Sequence, residues 1–180
     1  MLKYVNMTDV ISQASPGPGR ASTAAADDAP LYELIELLFF AYRDFVGGPD
    51  RILAEFGFGR AHHRVLHFVN RNPGIRVTDL LDILRITKQS LGRVLKQLLD
   101  TGYLEQRPGP VDRRQRLLFP TDSGRRLALR LAALQSDHIR KALDALGPDG
   151  APTAQRFLAL LVNDDDRDAV LDLVGGGYDE

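Results

Sequence analysis

The stretch "ITKQSLGRVLKQLLDTGYLEQR", residues 86–107, decides the fold of this chain. Apolar residues stand at positions 91, 94, 95, 98 and 99, which is the spacing of a helix that buries one face. Thr87 is a suitable N-cap, and Gly102 is a suitable end signal. The opposite face carries Lys, Gln, Ser and Arg, so the stretch predicts a half-buried helix whose polar face stays in solvent.

A second, shorter helix is predicted immediately before it, in "IRVTDLLDILRI", residues 75–86. Thr78 is its expected N-cap, and leucines and isoleucines follow for about two turns. Arg85 and Ile86 alone separate this helix from Thr87. Two helices joined by so tight a turn predict a helix-turn-helix, whose second helix can place side chains in a DNA major groove.

A two-stranded wing is predicted directly after the second helix. The segments "YLEQR" (103–107) and "RRQRLLF" (113–119) read as short strands around the loop "PGPVD". The arginines then lie at the loop and at the start of the return strand, where an arginine-rich tip can enter the electronegative minor groove. Asp112 is expected to pair with a neighbouring arginine and stiffen the tip.

The rest of the chain predicts an arm and several further helices. Residues 1–30 are rich in Pro, Gly, Ser and Ala and poor in large apolar residues, so a flexible arm is expected. The stretch "LYELIELLFFAYRDFV", residues 31–46, predicts a very apolar helix that serves either the core or a subunit interface. A helix of about 25 residues is predicted to begin at a cap at Thr121 or Asp122. The other predicted helices lie near residues 50–56, 60–71, 151–163 and 166–174, and a tail follows at 175–180.

Composition excludes several classes of protein. The 180 residues contain no cysteine, which excludes disulfides, cysteine-ligated zinc and thiol nucleophiles. No apolar run is long enough to span a bilayer, and the N-terminal sequence lacks the pattern of a secretory signal. A single cytoplasmic domain with no membrane association is the expectation.

Charge is strongly segregated along the chain, although the formal net charge is only −1. Residues 71–116 hold ten basic and five acidic residues, whereas residues 144–180 hold two basic and nine acidic ones. A basic middle fits an anionic partner. The alternative is ordinary patchy surface charge, which the counts alone do not exclude.

With these elements in order, the sequence resembles the multiple-antibiotic-resistance regulator (MarR) family of winged-helix transcription factors over roughly residues 31–174. The stretch "DRRQRLLFPTDSG", residues 112–124, is similar to the family's wing motif. In that motif, Asp112 and Arg114 match the acid and the arginine, and Thr121 and Gly124 match the closing pair. Arg93 matches the arginine of the family's recognition helix. The chain departs from the pattern in two places, with Pro120 where Leu is usual and Arg85 where Gly is frequent.

The resemblance implies a mainly α fold with a small β-wing. It places a winged helix-turn-helix lobe at about residues 60–120 and dimerisation helices at about 31–46 and 122–174. It further implies a homodimeric repressor that binds a pseudo-palindromic DNA operator without a cofactor. A small aromatic or other anionic ligand is expected to release this repressor from the operator.

Three groups of side chains are the expected DNA contacts. Gln and Arg pair bidentately with adenine and guanine, whereas phosphate contacts fix position without reading sequence. Ser90 has an alternative role, which is merely to be small at a close approach. The expected base readers are Gln89, Ser90 and Arg93, the expected phosphate contacts are Thr87, Lys88 and Lys96, and the expected wing contacts are Arg113, Arg114 and Arg116.

Histidines in "HHRVLH", residues 62–67, are candidates for a ligand pocket. His63 and His67 stand one helical turn apart, a spacing that can bind a metal, but no Glu lies between them and the chain has no Cys. A metal site is therefore not expected. From the geometry of the family, the candidate pocket residues are Tyr42, Arg43, His62, His63 and His67.

Two other classes of function compete with a DNA-binding regulator. A winged helix used only for protein contact predicts an acidic or apolar face on helix 87–101, whereas the observed face is basic and amide-rich. An enzyme is disfavoured, because the chain shows no phosphate-binding Gly loop, no nucleophile elbow and no credibly spaced carboxylate pair. The run "DDDRD" at 164–168 is more simply a helix N-terminus. The sequence therefore favours a DNA-binding regulator without catalytic residues.

Overall fold

The computed structural model describes residues 29–175, so most of the predicted arm and tail, residues 1–28 and 176–180, lies outside the described residues. The chain divides into two units, 1–36 and 37–180. The first contributes the opening turns of a helix that continues into the second. Within the described part, the elements are α1 Tyr32–Ala54, α2 Arg60–Arg71, β1 Ile75–Arg76, α3 Val77–Leu84, α4 Lys88–Asp100, β2 Leu104–Pro108, β3 Arg116–Pro120, α5 Asp122–Leu146, α6 Gly150–Leu161 and α7 Asp164–Gly175.

Helix α1 is longer than the sequence indicates. The predicted separation of a helix at 31–46 from a helix near 50–56 is wrong, because α1 continues through Gly47, Gly48 and Pro49 to Ala54. Val46, Pro49 and Leu53 are buried, and Leu53 belongs to the main apolar core. Tertiary burial thus overrides the local tendency of Gly and Pro to end a helix. The end of α1 is therefore part of the winged-helix core, and the predicted separate helix near 50–56 is its last turns.

The two helices of the predicted helix-turn-helix are α3 and α4. Helix α3 begins at Val77 with Arg76 as N-cap, so the expectation of a Thr78 cap is wrong. Thr87 caps α4 as predicted, and its Oγ1 accepts the Ser90 N–H at 3.1 Å. Between the helices, Arg85 adopts φ 50° and ψ 46°. This left-handed conformation is strained for a residue with a Cβ, which explains why Gly suits this turn.

The wing contains the two predicted strands and joins a third. Strands β2 and β3 pair antiparallel from Leu104 opposite Pro120 to Pro108 opposite Arg116. Strand β1 pairs with the other edge of β3, with Ile75 opposite Leu118, so the sheet order is β1-β3-β2. Two residues are too few to show a periodic pattern, so the sequence gives no sign of β1.

A single apolar core joins the helix-turn-helix, the sheet and α5. One buried cluster draws side chains from α1 to α5, β2 and β3. The apolar stripe of α4 points into this cluster, which leaves its polar face outside. The prediction of a mainly helical fold with a small β-wing is confirmed. The largest fully buried members of the cluster are Leu53, Leu66, Leu80, Leu91, Leu98, Leu118 and Leu131.

The closing pair of the wing motif clamps the base of the wing to α5. Thr121 Oγ1 donates to the Gly102 carbonyl at 2.7 Å and accepts the Gly124 N–H at 3.1 Å. A Cβ on Gly124 would lie 1.9 Å from the Tyr103 carbonyl oxygen. Only glycine permits this approach, so the start of β2 and the start of α5 are held together by residues 121 and 124.

We expect Gly124→Ala to lower the free energy of unfolding by about 1–3 kcal/mol, because the backbone must move to accept the methyl group. Gly92→Ala is the matched control, since a Cβ there meets nothing within 4 Å. In the middle of α4 this change should instead stabilise the protein by about 0.5–1 kcal/mol. Urea unfolding of both variants tests this, and equal stability of the two would contradict the clamp.

Candidate nucleic-acid interface

Most of the polar face of α4 is exposed. Lys88, Gln89, Ser90, Arg93 and Lys96 all lie in solvent. Among the described residues, the side chains of Gln89 and Arg93 have no hydrogen-bond or ion-pair partner. Both are therefore available to base edges, because α4 is fixed by its buried face while these two side chains are not engaged.

The other predicted contacts on α4 are partly engaged within the chain. The Thr87 hydroxyl donates to Ser90 Oγ at 2.9 Å while it caps the helix, so these two side chains hold the first turn. Lys96 Nζ lies 2.5 Å from Asp100 Oδ2 in an exposed ion pair. Such a pair contributes little stability in water, and a phosphate can compete for the ammonium group.

A cleft of about 570 Å³ lies between the helix-turn-helix and the wing. It brings together Lys88 of α4 with Arg114 and Arg116 of the wing. Within the described part of the chain, none of these three side chains forms an ion pair. Residues 88, 114 and 116 therefore create a positive cleft between two elements, whereas Arg113 lies exposed outside it.

Arg76 is a cleft residue that the sequence analysis missed. It lies in β1, and its guanidinium donates to both oxygens of Asp79 at 2.8 and 2.7 Å. The Arg76 hydrogen bond lowers the pKa of the Asp79 carboxyl. The sequence gives only a weak signal for this position. Arg76 and Asp79 form their bidentate pair because the chain turns into α3 between them, and no periodic pattern of residues indicates such a turn. Gln106 and Gln115 also line the cleft and were not foreseen.

The wing tip is ordered by contacts of Asp112 with backbone N–H groups rather than with an arginine side chain. Asp112 Oδ1 accepts the Arg114 backbone N–H at 2.9 Å, and the Asp112 carbonyl accepts the Gln115 N–H at 3.0 Å. Asp112 thus contacts a neighbouring arginine and orders the tip as expected, but through the Arg114 backbone, and no ion pair of Asp112 with a guanidinium forms among the described residues. Backbone N–H groups in a turn require hydrogen-bond acceptors, and the Asp112 carboxylate accepts one of those at the tip. Among the described residues, the side chains of Arg113, Arg114 and Arg116 form no hydrogen bond or ion pair.

A separate cavity of about 410 Å³ lies between α1, α2 and α5. Tyr42, His63 and His67 line it, as the sequence analysis expected. Arg43 and His62 do not line it: Arg43 contacts Asp44 on α1, and His62 contacts α4. The remaining lining residues are Phe45, Val46, Arg64, Phe68 and Gln135.

Both histidines in this cavity are biased towards the neutral form. Burial lowers the pKa of His63, although the Asp50 charge and a hydrogen bond with Gln135 act in the opposite direction. Burial also lowers the pKa of His67, and the charges of His63 and Arg71 add to the effect. Among the described residues that line the cavity, the other ionisable groups are Tyr42 and Arg64. None of these lining residues carries a carboxylate.

Residues 29–175 contain neither a metal-ion cluster nor a membrane-spanning helix. No group of three or more His, Cys, Asp or Glu residues in this range is arranged to hold a metal ion. No helix in the same range is long and apolar enough to cross a membrane.

A helix-turn-helix, an antiparallel wing and a basic cleft between them define a winged-helix DNA-binding protein. Residues 56–115 match the family model described as "MarR family". The chain is also 42% identical over 146 residues to the "HTH-type transcriptional regulator PetP" of Rhodobacter capsulatus, covering 81% of this chain and 88% of that protein. The chain therefore belongs to the MarR family of transcriptional regulators.

Solved structures agree with this fold. A mutant MarR from E. coli, complexed with operator DNA, is 21% identical with a TM-score of 0.57, over 75% of this chain and 100% of that one. Streptococcus pneumoniae FabT, in complex with DNA, is 16% identical with a TM-score of 0.65, over 73% of this chain and 94% of that one. At these identities the likeness concerns the fold.

The tip contact of Asp112 gives a matched pair of variants. Asp112→Asn removes the negative charge but keeps an oxygen that can accept the Arg114 N–H, whereas Asp112→Ala removes both. We expect DNA affinity, measured by fluorescence anisotropy, to be lower for the Ala variant than for the Asn variant by about 0.5–1.5 kcal/mol. Equal affinity of the two variants would show that the tip needs no such hydrogen bond.

Proposed function

We propose that this chain is a homodimeric repressor that binds a pseudo-palindromic DNA operator and is released by a small aromatic or anionic ligand. The observation that carries the DNA part of the proposal is the cleft that unites Lys88 with Arg114 and Arg116. Their positive charges lie on the two elements that a winged helix uses to follow adjacent grooves.

In the proposed complex, α4 lies in the major groove and the wing tip lies in the adjacent minor groove. Gln89, Ser90 and Arg93 read base edges, which fits the unengaged side chains of Gln89 and Arg93. Thr87, Lys88 and Lys96 contact phosphates. The wing contributes Arg113, Arg114 and Arg116, because a narrow minor groove attracts arginine.

We expect Arg114→Ala to weaken binding to the DNA upstream of the chain's own gene by about 1–3 kcal/mol. Arg140→Ala is the matched control, because Arg140 lies on α5 and pairs with Asp137. Fluorescence anisotropy across a salt series, with scrambled DNA in parallel, measures both specificity and electrostatic contribution. Unchanged affinity of Arg114→Ala would refute this wing contact. Equal, weak binding to both DNAs would favour a winged helix that contacts protein.

The homodimer is supported by apolar side chains that the single chain leaves in solvent. Phe39 on α1 is 68% exposed, and Phe157 on α6 is 51% exposed. Exposed apolar surface on this scale is typical of an interface. A two-fold dimer also suits a pseudo-palindrome, whose half-sites repeat the same contacts. Other exposed members of the terminal helices are Leu37, Leu38, Phe40, Leu158, Leu160 and Leu161.

We expect sedimentation equilibrium to give a dimer for the wild type, and Phe39→Ser to shift the protein towards monomer. Because the Phe39 side chain is exposed in the single chain, the substitution should leave the fold intact. Val111→Ser is the matched control, since Val111 is 98% exposed at the wing tip. A dimer that resists Phe39→Ser as well as Val111→Ser would place the interface elsewhere, and a monomeric wild type would refute the dimer.

The ligand site is proposed at the cavity between α1, α2 and α5. Tyr42, Phe45 and Phe68 supply aromatic walls, and Arg64 supplies a cation. None of the described lining residues is acidic, although the charge of the nearby Asp50 acts on His63. An aromatic carboxylate fits this lining, because it combines an apolar ring with a single negative charge.

We expect benzoate to bind this cavity more tightly as the pH falls from about 8 towards 6. The pKa values of His63 and His67 are lowered in the free protein, and a bound anion raises them, so binding takes up protons. Affinity should rise by up to about tenfold per pH unit for each proton taken up. Calorimetry measures this, with uncharged benzamide as the control. Equal pH dependence of the two compounds would contradict the assignment.

A further inference from the structure

His62 faces the recognition helix α4 rather than the ligand cavity. It is the third residue of α2, and its Nδ1 accepts the Gly59 backbone N–H at 3.1 Å. Its Nε2 lies 2.9 Å from Oε1 of Gln97, which is on α4. Since Nδ1 is the acceptor, Nε2 carries the proton and donates to Gln97. One imidazole thus links the start of α2 to the recognition helix.

Gln97 continues the connection on the other side. Its Nε2 donates to the Gly57 carbonyl at 3.3 Å, so the amide is bound at both ends to the segment that precedes and opens α2. The His62 ring stacks on Phe58, with ring centroids 4.8 Å apart and planes at 10°. Phe58 is buried in the main core. The link is therefore anchored to the rigid part of the lobe.

Directional contacts of this kind complement the apolar anchoring of α4. Burial of Leu91, Val94 and Leu98 holds the helix against the core, but apolar contact is not directional and tolerates small rotations. Gln97 stands eight positions after Gln89, about 12 Å along the axis at 1.5 Å per residue. A tilt of about 10° about Gln97 would move Gln89 by about 2 Å, which is enough to break a bidentate base contact.

We propose that His62, as the Nε2-protonated neutral imidazole, is a positioning residue that sets the angle of α4 through Gln97 and so controls sequence-specific DNA binding. It does not touch DNA. This inference rests on the proposed function: the effect of His62 falls on the alignment of Gln89 and Arg93, the proposed base readers, whose contacts need accurate geometry. Attraction of the basic cleft for phosphates depends on charge and tolerates a small tilt.

Two single variants and their combination isolate this link. His62→Asn keeps an oxygen near the position of Nδ1 for the Gly59 N–H, but it is too short to reach Gln97. Gln97→Met preserves side-chain length and helix propensity while removing both hydrogen bonds. His138→Asn is the matched control, because His138 lies exposed on α5.

The readout is affinity for a DNA site selected from a random pool by the wild type, compared with affinity for scrambled DNA. We expect each single variant to lose about three- to tenfold in affinity for the selected site, with scrambled-DNA binding unchanged. The double variant should lose no more than the larger single effect, since both changes remove one connection. His138→Asn should match the wild type.

Other outcomes overturn the proposal. Equal losses on both DNAs, together with a lowered melting temperature, would make His62 a stability residue. Multiplied losses in the double variant would show that His62 and Gln97 act separately, and wild-type specificity in both single variants would show that neither positions α4. Nitrogen NMR of the imidazole reads the tautomer directly, and a proton on Nδ1 would contradict the hydrogen-bond assignment.

Discussion

Burial of one face of α4 is the constraint on which the other features of this molecule depend. Leu91, Val94, Leu95 and Leu98 lie in the common core, and each buried side chain of this size contributes about 1.5–3 kcal/mol relative to exposure. With that face fixed inward, the basic and amide side chains of α4 must lie outward. The outward position of these polar side chains is therefore a consequence of core packing.

The wing extends this surface because its base and its tip are held by different means. At the base, the Thr121 hydroxyl and the bare Gly124 backbone hold β2 against α5. At the tip, the Asp112 carboxylate accepts the Arg114 backbone N–H, and within residues 29–175 the side chains of Arg113, Arg114 and Arg116 form no ion pair. Although the chain is nearly neutral overall, a positive cleft results between the helix-turn-helix and the wing, which suits an anionic partner.

Features encoded by local pattern could be predicted from the sequence, and features that depend on tertiary contact could not. The stripe of α4, the Thr87 cap and the two longer wing strands follow from spacing and residue type. The continuation of α1 through Pro49 requires the burial of Leu53, and β1 exists because β3 offers a free edge. The direction of the His62 ring depends on Gln97, thirty-five positions away, so no local signal reveals it.

In the proposed complex, α4 enters the major groove while the wing enters the adjacent minor groove of the same DNA. Dimethyl sulfate tests both at once, because it methylates guanine N7 in the major groove and adenine N3 in the minor groove. On a selected DNA site, the structure leads us to expect N7 protection in two half-sites about one helical turn apart, each flanked by N3 protection. Protection confined to one groove, or protection that is spread without half-sites, would rule out this mode of DNA binding.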